Sequence, residues 1–393
     1  MTPACREYST VEHASIPACE FWSDDGVAEW AVPSYSNRQV NEAGRILAAL
    51  PQLIEDDVEH AAERVGDALD IIGNWRSCHA YPLQCLKMVL KARAKKIDPS
   101  ATIAQRLKRL SSIEAKLKRF NQMALSQMQD IGGCRVIVRN TLMVRRLVSM
   151  YESDYERDPD KGAEFVKKYD YICCPKPDGY RGVHLVYKYR SRSEARKTFN
   201  GLRIEIQIRS RSQHAWATAT ETVSAFTGQA LKSSVGEEPW KRFFALMSSV
   251  IALREKSPLV PNTPTDKVAL VEELGVLEKT LKVRILLGSW AASVQHLSTK
   301  NGTDAFAFLL VLDTRRYTVH ATGYKKRDLR KASEDYLAME KEIEMEPGRQ
   351  AVLVSVESMK ALRVAYPNFY IDTDAFLREV DRAIGAKRDE TRS

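Results

Sequence analysis

The sequence predicts an α+β protein with a central mixed β-sheet flanked by helices, a helical region before it and a smaller α+β unit after it. Three observations support this fold class. Apolar residues recur every three or four positions before residue 97, strand-like and helical runs alternate between 98 and 257, and three prolines follow between 258 and 264. The expected units are therefore residues 1–97, 98–257 and 265–393.

The first unit has the pattern of three amphipathic helices. One begins at Ser36, the second spans Asp56 to Trp75, and the third runs from Pro82 to Lys96. Each carries an apolar stripe at helical spacing, which predicts that these helices pack on something rather than stand alone in solvent.

The central unit combines helices with strands. A helix rich in Lys and Arg is predicted first, over Thr102–Phe120. The apolar runs after it predict strands at Cys134–Val138, Val183–Tyr189 and Leu202–Ile208, and helices at Thr141–Tyr151 and Gln213–Phe226.

The last unit repeats this mixture on a smaller scale. It is expected to contain the helix Asp266–Leu297, a hairpin of Phe306–Asp313 and Tyr317–Thr322, the charged helix Lys325–Glu344, the strand Ala351–Val356 and the closing helix Thr373–Ile384.

The charge is concentrated in the middle of the chain. The protein carries a net charge of +9, and residues 96–257 alone hold 30 basic and 17 acidic side chains, a net of +13. A polyanionic ligand is therefore expected there, although a solvated basic surface would look the same. No apolar run reaches the ~18 residues of a membrane span, and the first 30 residues do not resemble a signal peptide, so a cytoplasmic location is expected. The seven cysteines are odd in number and irregularly spaced, which favours reduced thiols over disulfides or a zinc site.

A cluster of cations opens the central unit. Arg106 and Lys108 are followed by Ser112 and Lys116, and on a helix the last two lie on one face with Arg119. Several cations on one face can hold a triphosphate, and a solvated basic helix is the alternative.

Two carboxylates are the candidate magnesium ligands. Asp130 precedes two glycines and Arg135 at the entrance to a strand, where it can hold a hard cation. Glu205, Gln207 and Arg209 share one strand face at period-two spacing. Glu205 can share the metal with Asp130 or polarise a hydroxyl that Gln207 orients; a solvated edge-strand face is the alternative.

A third cluster suits a nucleotide. Lys176, Tyr180, Arg181 and His184 lie within nine residues, and glycines at 179 and 182 supply flexibility. Tyr180 can stack on a base while the other three meet phosphates. Taken singly, Tyr180 or His184 could equally be a hydrogen-bonded core residue.

Together these motifs resemble the synthetase domain of the RelA/SpoT family. The resemblance covers about residues 100–230, in the family's order, through Asp130-Ile-Gly-Gly-x-Arg135, Asp170-Tyr-Ile-x-x-Pro-Lys-x-x-Gly-Tyr-Arg-Gly-x-His184, Glu205-Ile-Gln-Ile-Arg209 and Gln213-His-Ala-Trp216. It implies a nucleotidyltransferase-like mixed sheet and magnesium-dependent transfer of pyrophosphate from ATP to the 3′-hydroxyl of GDP or GTP.

The resemblance also implies roles for single residues. Those implied to hold ATP are Arg106, Lys108, Lys116 and, as a weaker member, Arg135. Asp130 is the implied metal ligand, and Glu205 and Gln207 are the implied pair near the 3′-hydroxyl. On the acceptor side, Tyr180 would stack on guanine while Lys176 and His184 hold phosphates.

The chain departs from the family pattern on the acceptor side. Tyr169 stands where many members have lysine, with Lys168 as the candidate replacement; Asp178 and Gly182 replace a common asparagine and serine. A toxin-like relative that modifies an adenine nucleotide or the 3′ end of tRNA is therefore the alternative function, and a catalytically inactive nucleotide-binding module is a further one.

Regions outside the motifs complete the expectations. No His-Asp dipeptide of the family's hydrolase domain occurs in the sequence, so synthesis without hydrolysis is expected. Residues 265–393 are expected to be a regulatory, partner-sensing or antitoxin-like domain, acting through a partner protein or a second copy of the chain.

Overall fold

The computed structural model of the protein describes most of the helical and central units and parts of the last unit. The described residues are 30–49, 58–157, 162–227, 238–281, 307–313, 318–328, 349–355 and 374–385, with a few single positions between 283 and 342.

Three helices open the described chain. They are α1 (Asn37–Ala48), α2 (Val58–Ser77) and α3 (Ala80–Ile97), as the apolar stripes predict. The start of α1 is fixed by a reciprocal cap. The Ser36 hydroxyl accepts from the Gln39 amide at 3.4 Å, and the Ser36 amide donates to the Gln39 side-chain oxygen at 3.0 Å.

The central sheet has five strands in the order β1-β2-β5-β4-β3. β2 and β5 run parallel, whereas the other neighbouring pairs are antiparallel, so the sheet is mixed as predicted. The bounds are β1 Thr102–Leu107, β2 Gly132–Val138, β3 Ala163–Asp170, β4 Val183–Tyr189 and β5 Arg203–Ser210.

One face of this sheet is apolar and covered by helices. Helices α3 and α5 (Thr141–Arg157) pack against β2 and β5 on this side. Ile204, Ile206 and Ile208 of β5 are buried there, in the same core cluster as Leu83 and Leu90 of α3. The predicted helical region therefore packs on this face of the sheet and shares one hydrophobic core with it.

The expected helix Thr102–Phe120 is wrong in its first half. Residues Thr102–Leu107 form β1, and only Leu110–Arg119 is a helix, α4. Antiparallel pairing with β2 outweighs the helix propensity of Ala104, Gln105 and Arg106, because it adds these residues to the sheet as its edge strand. Strand β3 was also not predicted; its charged residues suit an edge strand.

Two helices follow the sheet, α6 (Arg211–Thr227) and α7 (Glu238–Arg254). The proline segment after α7 packs on it. The Ser249 hydroxyl pairs with the Thr263 hydroxyl at 2.7 Å and accepts from the Val260 amide at 3.0 Å. These two hydrogen bonds attach the proline segment to α7.

The last unit contains the predicted hairpin. Its strands are β6 (Ala307–Asp313) and β7 (Thr318–Tyr324), and β8 (Arg349–Ser355) joins them in the antiparallel order β7-β6-β8. The expected helix Lys325–Glu344 opens with a 3-10 turn at Lys326–Asp328; most of the remainder lies outside the described residues.

Two helices of the last unit belong to a second core. Helices α8 (Lys267–Leu281) and α9 (Asp374–Ile384) pack with α6 and α7 around Trp216, Phe243 and Phe376. No helix among the described residues is long and apolar enough to cross a membrane.

Candidate functional site

Polar side chains gather on the sheet face opposite α3 and α5. Strand register brings them into rows: Arg106 of β1, Gly133 of β2 and Glu205 of β5 are cross-strand neighbours. In the next row Arg135 neighbours Gln207, which neighbours His184 of β4. Because side chains alternate along a strand, these rows share one face. Gly133 leaves a gap between Arg106 and Glu205, since a Cβ there would have only the Glu205 carbonyl oxygen within 4 Å.

Asp130 lies at the entrance to β2, between two cations. Its carboxylate oxygens accept from Lys108 Nζ at 2.8 Å and from Lys116 Nζ at 2.9 Å. Burial alone would raise the pKa of Asp130, but the two lysines outweigh it and hold the pKa below its ordinary value. Asp130 is therefore a carboxylate at neutral pH, and it gathers two of the predicted ATP-binding lysines.

Two arginines extend this cationic cluster along the face. Arg106 interacts electrostatically with Asp130, Glu205 and Arg209, while Arg135 Nε donates to Gln207 at 3.4 Å. Ser112 lies one turn before Lys116 on α4. Among the described residues no hydrogen bond joins the Ser112 hydroxyl to this cluster.

Five side chains on the same face form a closed ring of hydrogen bonds. The Tyr180 hydroxyl lies 2.5 Å from His184 Nε2, and His184 Nδ1 lies 2.9 Å from Glu205. Gln207 donates to the other Glu205 oxygen at 2.7 Å. Arg209 closes the ring by donating to Gln207 at 3.2 Å and to the Tyr180 hydroxyl at 2.7 Å.

The ring shifts the titration of three of its members. Burial would lower the pKa of His184, but Tyr180 and Glu205 raise it to about 9. Burial would raise the pKa of Glu205, but His184 lowers it to about 2. Arg209 and His184 likewise overcome burial and lower the pKa of Tyr180 to about 8. At neutral pH the ring therefore contains a Glu205 carboxylate held by a charged His184.

The predicted acceptor residues divide into two groups. Lys176 is exposed, and its ammonium lies 4.4 Å from the Tyr171 ring centroid and 5.1 Å from that of Tyr180. It remains available to a phosphate. Tyr180 is fixed through its hydroxyl and contacts Tyr171, His184 and Trp216 edge-on. Stacking of Tyr180 on a base stays a prediction.

The other two acceptor residues have different roles from those expected. Arg181 is only 2% exposed, and each of its guanidinium nitrogens has a protein acceptor: Ser248, Ser257 or the Pro258 carbonyl. The predicted contact of Arg181 with acceptor phosphates is wrong, because its side chain instead joins the loop before β4 to α7 and the segment after it. Both ring nitrogens of His184 are also occupied, so it holds Glu205 instead of a phosphate.

Lys168 does not replace the family's lysine at position 169. It forms an ion pair with Glu152 of α5, at 2.5 Å, beside the covered face of the sheet. Tyr169 points toward the site side and donates to Gln129 at 3.2 Å. Alternation along β3 explains the difference, since neighbouring residues face opposite sides.

Asp130 and Glu205 are the candidate ligands for a divalent cation. Their charges interact, since Glu205 opposes the lowering of the Asp130 pKa. No group of three or more His, Cys, Asp or Glu side chains suited to a metal occurs in the described part of the chain. Two carboxylates nevertheless fit magnesium in a nucleotide enzyme, because substrate phosphates and water complete its ligand set.

Arg209 is the site residue to which the sequence assigned no role. It is 4% exposed, and its Nε and Nη1 are buried with no hydrogen-bond partner among the residues that the structure describes. The sequence did offer one indication of such a role, because Arg209 lies two residues after Gln207 and therefore on the same strand face as Glu205 and Gln207. Arg209 contributes to the site through its hydrogen bonds to Gln207 and to the Tyr180 hydroxyl.

Comparison with known protein families gives a match over the segment that contains the site. Residues 105–225 match the family model described as a region found in RelA/SpoT proteins. The comparison with curated proteins gave no match.

Three solved structures resemble the chain. Small alarmone synthetase 1 from Bacillus subtilis, bound to its product pppGpp, has 23% identity and a TM-score of 0.37, covering 44% of this chain and 87% of that one. A GTP pyrophosphokinase family protein from Streptococcus pneumoniae has 22% identity and a TM-score of 0.36, covering 44% and 84%. Small alarmone synthetase 2 from B. subtilis has 20% identity and a TM-score of 0.38, covering 47% and 94%.

The residues of the cationic cluster and of the hydrogen-bonded ring all lie between positions 106 and 209, inside the matched segment. The candidate site therefore lies within residues 105–225, the segment that is similar to the region found in RelA/SpoT proteins.

Proposed function

We propose that this protein transfers pyrophosphate from ATP to the 3′-hydroxyl of GDP or GTP, giving (p)ppGpp, without hydrolase activity. The observation that carries the proposal is one sheet face inside the RelA/SpoT region. It presents the cations around Asp130 and, beside them, the ring around Glu205, and the charges of the two carboxylates interact.

The cationic cluster is the proposed ATP site. Lys108, Lys116 and Arg106 would hold the triphosphate, with Arg135 beside them. Phosphoryl transfer depends on positioning and charge stabilisation, which such a cluster supplies. Mg²⁺ held by Asp130 and Glu205 would neutralise charge developing on the β- and γ-phosphates.

Glu205 is the proposed partner of the acceptor hydroxyl. The 3′-oxygen forms a bond to the β-phosphorus while the bond from that phosphorus to the α,β-bridging oxygen breaks, and AMP leaves. The Glu205 carboxylate would accept a hydrogen bond from the hydroxyl and polarise it, and the hydroxyl proton passes to solvent. His184 and Gln207 fix both carboxylate oxygens, so the group is oriented before the acceptor arrives.

A direct product assay tests the proposal. The full chain is incubated with ATP labelled in its β-phosphate, magnesium and either GDP, GTP, ADP or deacylated tRNA, and the products are separated by chromatography. Label on GDP or GTP is expected. Label on tRNA or ADP alone would replace the guanine acceptor with the toxin-like alternative, and no label on any acceptor would contradict the transfer reaction.

The absence of hydrolysis is tested with the same protein. Purified ppGpp is incubated with the chain and either magnesium or manganese, and release of pyrophosphate is followed. We expect none, because the sequence has no His-Asp dipeptide. Release of pyrophosphate at a rate comparable to synthesis would show that the chain has a hydrolytic centre in addition to the proposed synthetase site.

A further inference from the structure

The loop that carries Tyr180 is held by a helix outside the RelA/SpoT region. We call residues Lys176–Gly182 the acceptor loop. The Ser248 hydroxyl of α7 donates to the Gly179 carbonyl oxygen at 2.6 Å and accepts from Arg181 Nε at 3.1 Å. Ser248 is 1% exposed, so these bonds form away from water.

Arg181 extends this attachment past the end of α7. Its Nη1 donates to the Ser257 hydroxyl at 3.0 Å, and its Nη2 donates to the Pro258 carbonyl. Burial lowers the pKa of Arg181 to about 10, against the opposing charge of Glu255, so the side chain is charged at neutral pH. A buried arginine with an acceptor at each nitrogen fixes the loop more firmly than a single bond would.

Glu255 links the same helix end to the strand that carries the site. Its carboxylate accepts from the Ser210 hydroxyl at 2.5 Å and from the Gln213 amide at 2.8 Å. Ser210 is the last residue of β5, the strand of Glu205 and Arg209. The end of α7 therefore contacts both sides of the hydrogen-bonded ring, the acceptor loop and β5.

Helix α7 is in turn covered by the last unit. Phe244 of α7 packs on Phe376 of α9, with ring centroids 5.7 Å apart. Glu379 of α9 forms an ion pair with Arg254 at the end of α7 and accepts from the Ser212 hydroxyl at 3.1 Å. A continuous set of packed contacts thus runs from the closing helix through α7 to the acceptor loop.

We propose that Ser248 is a positioning residue that sets acceptor affinity by attaching the acceptor loop to α7. Ser248 acts through the backbone and the side chain that it holds. It holds Gly179 and Arg181, and they place Tyr180, which lies between them in sequence. The proposal rests on the proposed function, because it specifies how that site binds its acceptor.

The test compares two neighbouring serines. Ser248 and Ser249 are both buried on α7 and both make two hydrogen bonds, but those of Ser249 go to Val260 and Thr263 in the proline segment. Ser248→Ala is expected to raise the KM for the acceptor about 5- to 10-fold, while kcat and the KM for ATP stay within about twofold. Ser249→Ala is expected to lower the melting temperature comparably and to leave both KM values unchanged.

The two arms separate this inference from the proposed function. Product formation by the unaltered protein establishes the reaction independently of either variant. If Ser248→Ala and Ser249→Ala have the same acceptor KM, or if the KM for ATP rises as much as that for the acceptor, the positioning role is refuted while the reaction stands.

Direct binding covers the case in which a variant turns over too slowly to measure. GDP is titrated calorimetrically into the full chain and into Arg181→Lys, which keeps the charge but cannot serve all three acceptors. A 5- to 10-fold weaker affinity for GDP with unchanged affinity for a non-hydrolysable ATP analogue is expected. Equal affinity for GDP in the two proteins would overturn the proposal.

Discussion

Replacing Gly179 with alanine measures how tightly the acceptor loop is held against α6 and α7. Gly179 has a φ of +92°, and a Cβ built on it would lie 2.9 Å from the Trp216 ring, 3.1 Å from the Phe244 carbonyl oxygen and 3.1 Å from Ser248 Cβ. The left-handed backbone costs an L-residue roughly 1–2 kcal/mol, and overpacking adds about 1–3 kcal/mol. Gly179→Ala should therefore lower the free energy of unfolding by about 2–5 kcal/mol.

Gly201 provides the matched control. Its φ is +90°, but nothing lies within 4 Å of its added Cβ, so Gly201→Ala should lower the free energy of unfolding by only about 1–2 kcal/mol. Both variants and the parent are unfolded in urea and followed by tryptophan fluorescence. Equal losses in the two variants would show that the loop yields without cost, which would refute the tight packing inferred here.

Three further predictions concern the site itself. Asp130→Asn should reduce turnover on the order of 100-fold by removing a proposed metal ligand, measured as product formation at saturating substrates; near-normal turnover would place the metal elsewhere. Tyr180→Ala should weaken acceptor binding by roughly 1–3 kcal/mol of lost stacking, read as acceptor KM with ATP KM as internal control; an unchanged acceptor KM would exclude stacking. The free energy of unfolding should fall as the pH rises from 6.5 to 8, because the raised pKa of His184 makes the folded state bind more protons than the unfolded chain. Above this range the lowered pKa of Tyr180 acts in the opposite direction. In urea unfolding across this range, the free energy of unfolding should fall less with pH for His184→Gln than for the parent. The same pH dependence in both proteins would contradict the assignment of the effect to His184.

Much of the sheet could be predicted because its strands carry their own signal. The isoleucines of β5 alternate with polar residues, so Glu205 and Gln207 were assigned to one face correctly, and β2 is marked by the apolar run Val136–Val138. Strand β1 could not be predicted in this way. Its residues Gln105 to Leu107 continue directly into the basic helix α4, and only pairing with β2, some 30 positions later, makes them a strand.

The residues that form the site could be predicted from the sequence, but the partners that their side chains contact could be predicted less well. Asp130 lies next to Lys108 and Lys116 as the motif order suggests, but the direction of a side chain in a loop is not encoded locally. Arg181 turns away from the site because its acceptors lie 67 to 77 positions later in the chain, on α7 and the segment after it. Helix α7 itself was not predicted, so no sequence argument could have supplied those partners.

The helices at the start of the chain limit how far the protein can be shortened. Val40 and Leu47 of α1 and Ile72 of α2 are buried in the same cluster as the strands of the central sheet, and Leu125 lies against Gly44. A fragment excised at Asp98 would leave that side of the sheet uncovered and prone to precipitate. The smallest autonomous fragment that retains the sheet must therefore begin upstream of α1, even though the sequence motifs start some 70 residues later.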